Sequence, residues 1–191
     1  IPFWITVATR LIIINISNYA SIFLNNNENN VESIFEVQYS GSQEGAGFGC
    51  FQCLEGNFAV GFMGPRFRDG DFTPYASGFS FNVPIQDLVD LYEEADTRKE
   101  ATIFDTFVAT RPDVTYNLGS EHTGYFNKKY IPYADDIVLP DQNINRSNNY
   151  RAIRYSDVLL MAAEANLQAS VQKDNPQDLL DQVRDRAFGD P

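Results

Sequence analysis

The chain has 191 residues, 43% of them hydrophobic and 14% aromatic, enough apolar material for the core of one folded unit. Its 26 acidic residues against 14 basic ones give a formal net charge of −12, which repels phosphate backbones and anionic bilayers and argues against nucleic acid as a partner. The most apolar stretch, Phe3–Ile16, carries Arg10 and falls short of the roughly 20 residues that cross a bilayer. It has neither the basic region nor the small-residue cleavage site of a secretory leader, so it reads as a buried element.

The polar run Asn25–Asn30 reads as a surface turn, because asparagine satisfies its own backbone and tolerates left-handed conformations. After it, VESIFEVQYS alternates Phe35, Val37 and Tyr39 with Glu36 and Gln38, the period of a half-buried strand, expected at about 32–40. From Gly41 to Ser80 the composition shifts to glycine and aromatic residues, with Phe48, Phe51, Phe58, Phe62, Phe67, Phe72, Tyr75 and Phe79 among Pro65 and Pro74. A segment of that length without a period is unusual in a compact domain unless it has a function, and its aromatic content argues against disorder, so it is the leading ligand region.

FNVPIQDLVDLYEEAD sets Pro84 at a first helical position, followed by the stripe Ile85, Leu88, Val89 and Tyr92. Residues 105–150 keep a high aromatic density with little period and read as irregular structure with short strands. RYSDVLLMAAEANLQAS then predicts a helix capped near Ser156. Asn175-Pro176 opens a second, with Leu179, Leu180, Val183 and Ala187 on one face, completing a helical hairpin.

Catalytic and metal chemistry find little support in these residues. The two cysteines, Cys50 and Cys53, stand as C-x-x-C, a spacing open to a redox pair, half a zinc site or a purely structural role. No second pair exists, and His122, the single histidine, lies far away in sequence. Carboxylate pairs such as Asp135-Asp136 and Glu93-Glu94 are too common in an acidic chain to mark an acid/base pair, and no G-x-S-x-G, P-loop or H-E-x-x-H occurs. Asp69-Gly70-Asp71 resembles the start of a calcium loop, but the later ligands do not follow. The expectation is therefore a non-catalytic chain with no cofactor and no metal.

NYRAIRYSDVLLMAAEANLQ followed by QDLLDQVRDRAFGD closely resembles the helical signature near the C-terminus of the SusD/RagB family, carried here by Ile153–Met161, Ala163–Ala165 and Val183–Ala187. NVESIFEVQYS looks like that family's strand, FNVPIQDLVDLYEEADTR resembles its Asn-x-Pro-x-Gln-Asp-Leu-Val helix with an Asp-x-Arg turn, and Gly124–Tyr130 resembles its Lys-rich Gly-Tyr strand. The resemblance covers residues 18–191. Residues 1–17 depart from it, RLIIINIS standing where relatives have a helix and a short glycine-containing turn.

This resemblance implies a mainly α fold: a TPR-like helical hairpin scaffold with long irregular loops and small β elements, and an N-terminal helical half outside the residues shown. It implies a cell-surface binding protein of the outer membrane, held there by a lipid anchor outside this chain. Such a protein captures an oligosaccharide or polysaccharide for a SusC-like TonB-dependent barrel, or in the RagB branch captures peptide. A secreted glycan-active enzyme and a purely structural subunit are the rival readings.

Sugar rings expose apolar C–H faces that stack on aromatic rings, while flanking polar groups hydrogen-bond the hydroxyls. On composition, MGPRFRDGDFTPY supplies these ingredients, and the candidate ligand residues are Phe62, Arg66, Phe67, Asp69, Asp71 and Tyr75. The signature residues Arg154, Asp157, Glu164, Arg184 and Arg186 read as scaffold, with arginine–carboxylate pairs expected between neighbouring helices.

Overall fold

The computed structural model describes residues 13–40, 47–50, 55–68, 72, 74–108, 114–137 and 145–189. Within them lie six short strands, β1 (Ser33–Val37), β2 (Arg66–Phe67), β3 (Ile103–Asp105), β4 (Tyr116–Asn117), β5 (Tyr125–Asn127) and β6 (Tyr150–Arg154). Five helices accompany them: α1 (Phe58–Phe62), α2 (Gln86–Asp90), α3 (Arg98–Thr102), α4 (Tyr155–Gln168) and α5 (Pro176–Phe188). The strands pair antiparallel as three separate ribbons, β1 with β6, β2 with β4 and β3 with β5. Most of the regular structure is helical, and the long helices are the two C-terminal ones.

The α4–α5 hairpin forms as its residues dictate. Asn175 caps α5 by accepting from the Gln177 N–H, with Pro176 in the first turn where its missing N–H costs nothing. Gly189 ends the helix in the left-handed conformation. At the head of α4 the cap lies two residues earlier than Ser156: the Arg154 N–H donates to the Asp157 carboxylate at 2.8 Å, and Ser156 sits in the first turn. The Ser156 hydroxyl instead donates to Glu32 at 3.2 Å.

Glu32 is the hub of the fold. Its carboxylate is fully buried and accepts from Arg186 at 2.6 and 2.8 Å and from the Ile16 N–H at 2.8 Å, while its carbonyl accepts from the Tyr155 N–H. The arginine–carboxylate pairs do not join the two helices as expected: Arg186 pairs with Glu32 and Arg184 with Glu93 at 3.1 Å, both acids outside the hairpin, and Arg154 pairs with Asp157 of its own helix at 3.3 Å. Glu164 is exposed.

The β1–β6 ribbon inverts the expected polarity of its strand. Glu36 is buried and lies 3.6 Å from the Arg151 guanidinium, with Asn149 donating to it at 3.0 Å, while Phe35 is 41% exposed opposite exposed Ile153. The buried ion pair, and not the hydrocarbon, decides which face turns inward, because a buried charge tolerates no unpaired alternative.

A hydrophobic core of Phe67, Tyr75, Phe104, Phe126 and Ile131 joins β2, β3 and β5. The α2 helix is shorter than its pattern: Ile85 is the cap residue, Pro84 precedes it, and only Val89 of the apolar stripe is fully buried. Of the expected buried element at 3–16, residues 3–12 lie outside the described ones, and Ile13 and Ile14 are exposed.

Candidate functional site

The glycine- and aromatic-rich region resolves into two short pieces of backbone laid side by side. The first is α1, whose entry is clamped: the Gly56 N–H donates to Asn145 Oδ1 at 2.7 Å, the Asn57 N–H to the Arg146 carbonyl at 2.6 Å, and the Asn57 amide to the Asn148 carbonyl. Gly56 is required there, since a Cβ would strike the Asn145 side chain and the Arg146 backbone. The second piece, residues 78–81, runs against residues 62–65 with Gly78 N–H on the Pro65 carbonyl at 2.8 Å, Ser80 N–H on Gly64 and Phe81 N–H on Phe62, both at 2.9 Å. A Cβ on Gly78 would collide with the Met63 carbonyl, so glycine sets how closely the two pieces approach.

This arrangement gathers five phenylalanine rings. Phe58 and Phe62 lie four apart on α1, one turn above each other, with centroids 5.8 Å apart. Phe62 also meets Phe79 at 5.8 Å and Phe81 at 5.4 Å, and Phe79 meets Phe48 at 5.8 Å. Every pair is edge-to-face, the geometry the ring quadrupole favours, at about 0.5–1.5 kcal/mol per pair beyond area burial. Phe48, Phe58 and Phe81 remain 53%, 45% and 55% exposed and together form an apolar patch among the described residues.

The polar groups around the patch hold its backbone. Arg66 places Nε and Nη2 2.9 and 2.8 Å from the Phe79 carbonyl oxygen, a two-pronged charged hydrogen bond that fixes the 78–81 segment to β2. Exposed Asn82 donates its amide to Met63 Sδ at 3.7 Å, tying the end of that segment to the end of α1. Phe48 sits in a 3-10 turn, Gly47–Gly49, next to Cys50, which is disulfide-bonded. The sequence's other cysteine, Cys53, lies outside the described residues.

Of the six candidates from sequence, the structure brings only Phe62 and Arg66 to this patch. Phe62 is its centre, whereas Arg66 spends its donors on the Phe79 main chain. Phe67 and Tyr75 are 7% and 8% exposed and belong to the hydrophobic core, so their faces are occupied by Phe72, Phe104 and Tyr133. Asp69 and Asp71 lie outside the described residues.

Phe48, Phe58, Phe79 and Phe81, which join Phe62 in the patch, were not among the six candidates, because exposure in an aperiodic segment has no signature in spacing.

Two recesses among the described residues lie away from this patch. One of about 420 Å³ is lined by Tyr19, Glu100, Lys128 and Arg186 among others, and one of about 460 Å³ by Glu94, Asp96, Lys99, Glu100 and Asp105. In the latter, burial alone would raise the Asp96 carboxyl, but its hydrogen bonds from Arg98 and the charge of that guanidinium hold it below the usual range. Among the described residues no group of three His, Cys, Asp or Glu side chains is placed to hold a metal ion.

Comparison with known proteins places this scaffold. Residues 105–191 match the SusD family. That part of the chain belongs to the SusD family. The hub residues of the hairpin, Arg154, Asp157 and Arg186, fall within the matched part, and the phenylalanine patch falls before it.

Among solved SusD-like structures, a laminarin-binding SusD-like protein is 34% identical, with a TM-score of 0.77 over 91% of this chain and 38% of its own. Surface glycan-binding protein A from Bacteroides fluxus is 28% identical, with a TM-score of 0.78 over 93% of this chain and 37% of its own. Surface glycan-binding protein A from Bacteroides thetaiotaomicron, in complex with laminarihexaose, is 25% identical, with a TM-score of 0.81 over 95% of this chain and 41% of its own. The chain thus spans about two fifths of the length of these SusD-like relatives. No curated protein sequence matches it.

Proposed function

We propose that this SusD-family chain is part of a non-catalytic, cell-surface protein that captures an oligosaccharide or polysaccharide on the phenylalanine patch and delivers it to a SusC-like TonB-dependent outer-membrane transporter. The observation that carries the reading is the patch itself: three exposed rings, each seated edge-on against a buried or half-buried neighbour, on a clamped backbone. Phenylalanine offers a sugar only its C–H-binding face, so such a surface reads ring shape and leaves hydroxyl recognition to polar groups beyond its edge.

Kinship supports the class of ligand. The relatives that resemble this chain along most of its length include a laminarin-binding protein and one solved with laminarihexaose, which makes a laminarin-type glucan the first ligand to test. In this reading the α4–α5 hairpin continues a TPR-like helical scaffold, and a lipid anchor outside this chain holds the protein on the extracellular face of the outer membrane. The RagB-like alternative is peptide capture on the same apolar rings.

Binding to soluble laminarin, other polysaccharides and a peptide pool, measured by calorimetry with Phe62→Ala and Phe81→Ala beside the wild type, tests this function. Saturable glycan binding weakened by both substitutions, with no reducing ends released, supports it. Binding of peptide alone selects the RagB-like reading, and release of glycan fragments selects an enzyme.

A further inference from the structure

Two residues flanking Phe81 hold a backbone conformation that side-chain-bearing residues seldom adopt. Ser80 has φ 60° and Asn82 has φ 52°, both in the left-handed region. Asparagine is among the few residues that visit it readily, whereas serine does so at a greater cost. Neither residue ends a helix or closes a strand hairpin, the usual reasons for such a conformation. What the pair does achieve is local: it turns the Ser80 side chain inward, 9% exposed and packed against the backbone position of Gly119, and sends Phe81 outward onto Phe62. The Ser80 hydroxyl is buried without a hydrogen-bond partner among the described residues, a second cost accepted at the same place.

Strain of this kind persists where the surroundings over-determine it, and it clusters at ligand clamps. Here the surroundings are the Ser80 N–H on Gly64, the Phe81 N–H on Phe62, the Arg66 fork on Phe79 and the Asn82 amide on Met63. We propose that Ser80 and Asn82 are positioning residues for the glycan surface: their left-handed backbone holds the Phe81 ring where a sugar ring stacks, so that the ligand meets a surface already assembled. This rests on the glycan reading of the patch and adds to it the source of its preorganisation. A ring fixed before the ligand arrives loses no freedom on binding, which is where preorganisation gains affinity.

The test uses position 82, which is exposed and tolerates substitution without disturbing the core. Laminarihexaose affinity is measured by calorimetry for wild type, Asn82→Gly, Asn82→Val, Phe81→Ala and the double variant Asn82→Val/Phe81→Ala, with a thermal melt of each. Glycine keeps the left-handed conformation free of strain and is expected to stay within about threefold of wild type. Valine disfavours that conformation and is expected to weaken binding by about tenfold, as Phe81→Ala does, with the double variant no weaker than Phe81→Ala alone.

That non-additivity is what a merely structural role would not produce. An Asn82→Val protein that melts earlier but binds as wild type when folded overturns the proposal, and so do additive losses in the double variant. A wild type that binds no glycan brings down the glycan reading and the positioning role with it. That case is recognised because no variant then differs from wild type.

Discussion

Arg186 and Glu32, 154 residues apart in sequence, meet in the interior with the guanidinium Nη1 2.6 and 2.8 Å from the two carboxylate oxygens. The same guanidinium lies over the Tyr19 ring at 5.4 Å, so one residue of α5 ties together the N-terminal segment, the approach to β1 and the head of α4.

Removing Arg186 leaves the buried Glu32 carboxylate with only the more distant Arg154 guanidinium, 3.9 Å away, to offset its charge. Arg186→Met is expected to destabilise the chain by about 3–5 kcal/mol, and Arg186→Met/Glu32→Leu to recover much of that loss. Denaturant unfolding of the two variants checks both values. A double variant as unstable as the single one would show that the hub matters for its hydrogen bonds to Ile16 and Ser156 more than for its charges.

Phe62 and Phe67 were equal candidates by sequence and are unequal in structure. Phe67→Ala is expected to cost about 3–5 kcal/mol of stability and leave the glycan affinity of the folded protein unchanged. Phe62→Ala is expected to cost less stability and to weaken binding by about tenfold, since it supports Phe58, Phe79 and Phe81 at once. Melting curves and calorimetry on the same samples separate the two effects.

Arg66 acts on the patch through a carbonyl. Arg66→Met keeps the apolar stem but removes both donors to Phe79, and about a threefold to tenfold loss of affinity with an unchanged far-ultraviolet spectrum is the expected result. If Arg66 met the ligand directly, the loss would instead grow with the negative charge of the glycan tested.

Burial, with Tyr75 beside it, pushes the Tyr133 hydroxyl up to about 12, and burial raises Tyr130 as well. In the unfolded chain a tyrosine ionises near pH 10, so between about pH 10 and 12 the unfolded state loses protons that the folded state keeps. Stability from this source is therefore complete below pH 10 and declines as pH rises towards 12. Tyr133→Phe is expected to flatten that decline, measurable as the slope of unfolding free energy against pH.

The C-terminal hairpin was legible because its signals are local: Asn175-Pro176 and the helical spacing of Val183 and Ala187 each act within a turn or two. The strand at 33–37 was legible in position and not in orientation. Alternation says that Phe35 and Glu36 face opposite ways, but which side is inside was decided by Arg151, more than 100 residues on.

The proposed binding surface lies mostly within the aromatic segment singled out from sequence, and of the six residues named there only Phe62 and Arg66 are at it. Phe67 and Tyr75 look the same in sequence as Phe58 and Phe81, and only the position of β3 and β5 settles which rings have neighbours on all sides.

All five rings of the patch come from one continuous stretch, Phe48 to Phe81, while the bonds that keep the scaffold together join residues 100 and more positions apart. The proposed recognition surface and the Glu32 hub are therefore written in different parts of the gene, although Phe67 and Tyr75 of the core share the stretch with the rings. A replacement limited to those five rings would exchange the proposed sugar-facing surface without touching the Glu32 hub or the Phe67 and Tyr75 core, so one frame would serve more than one ligand.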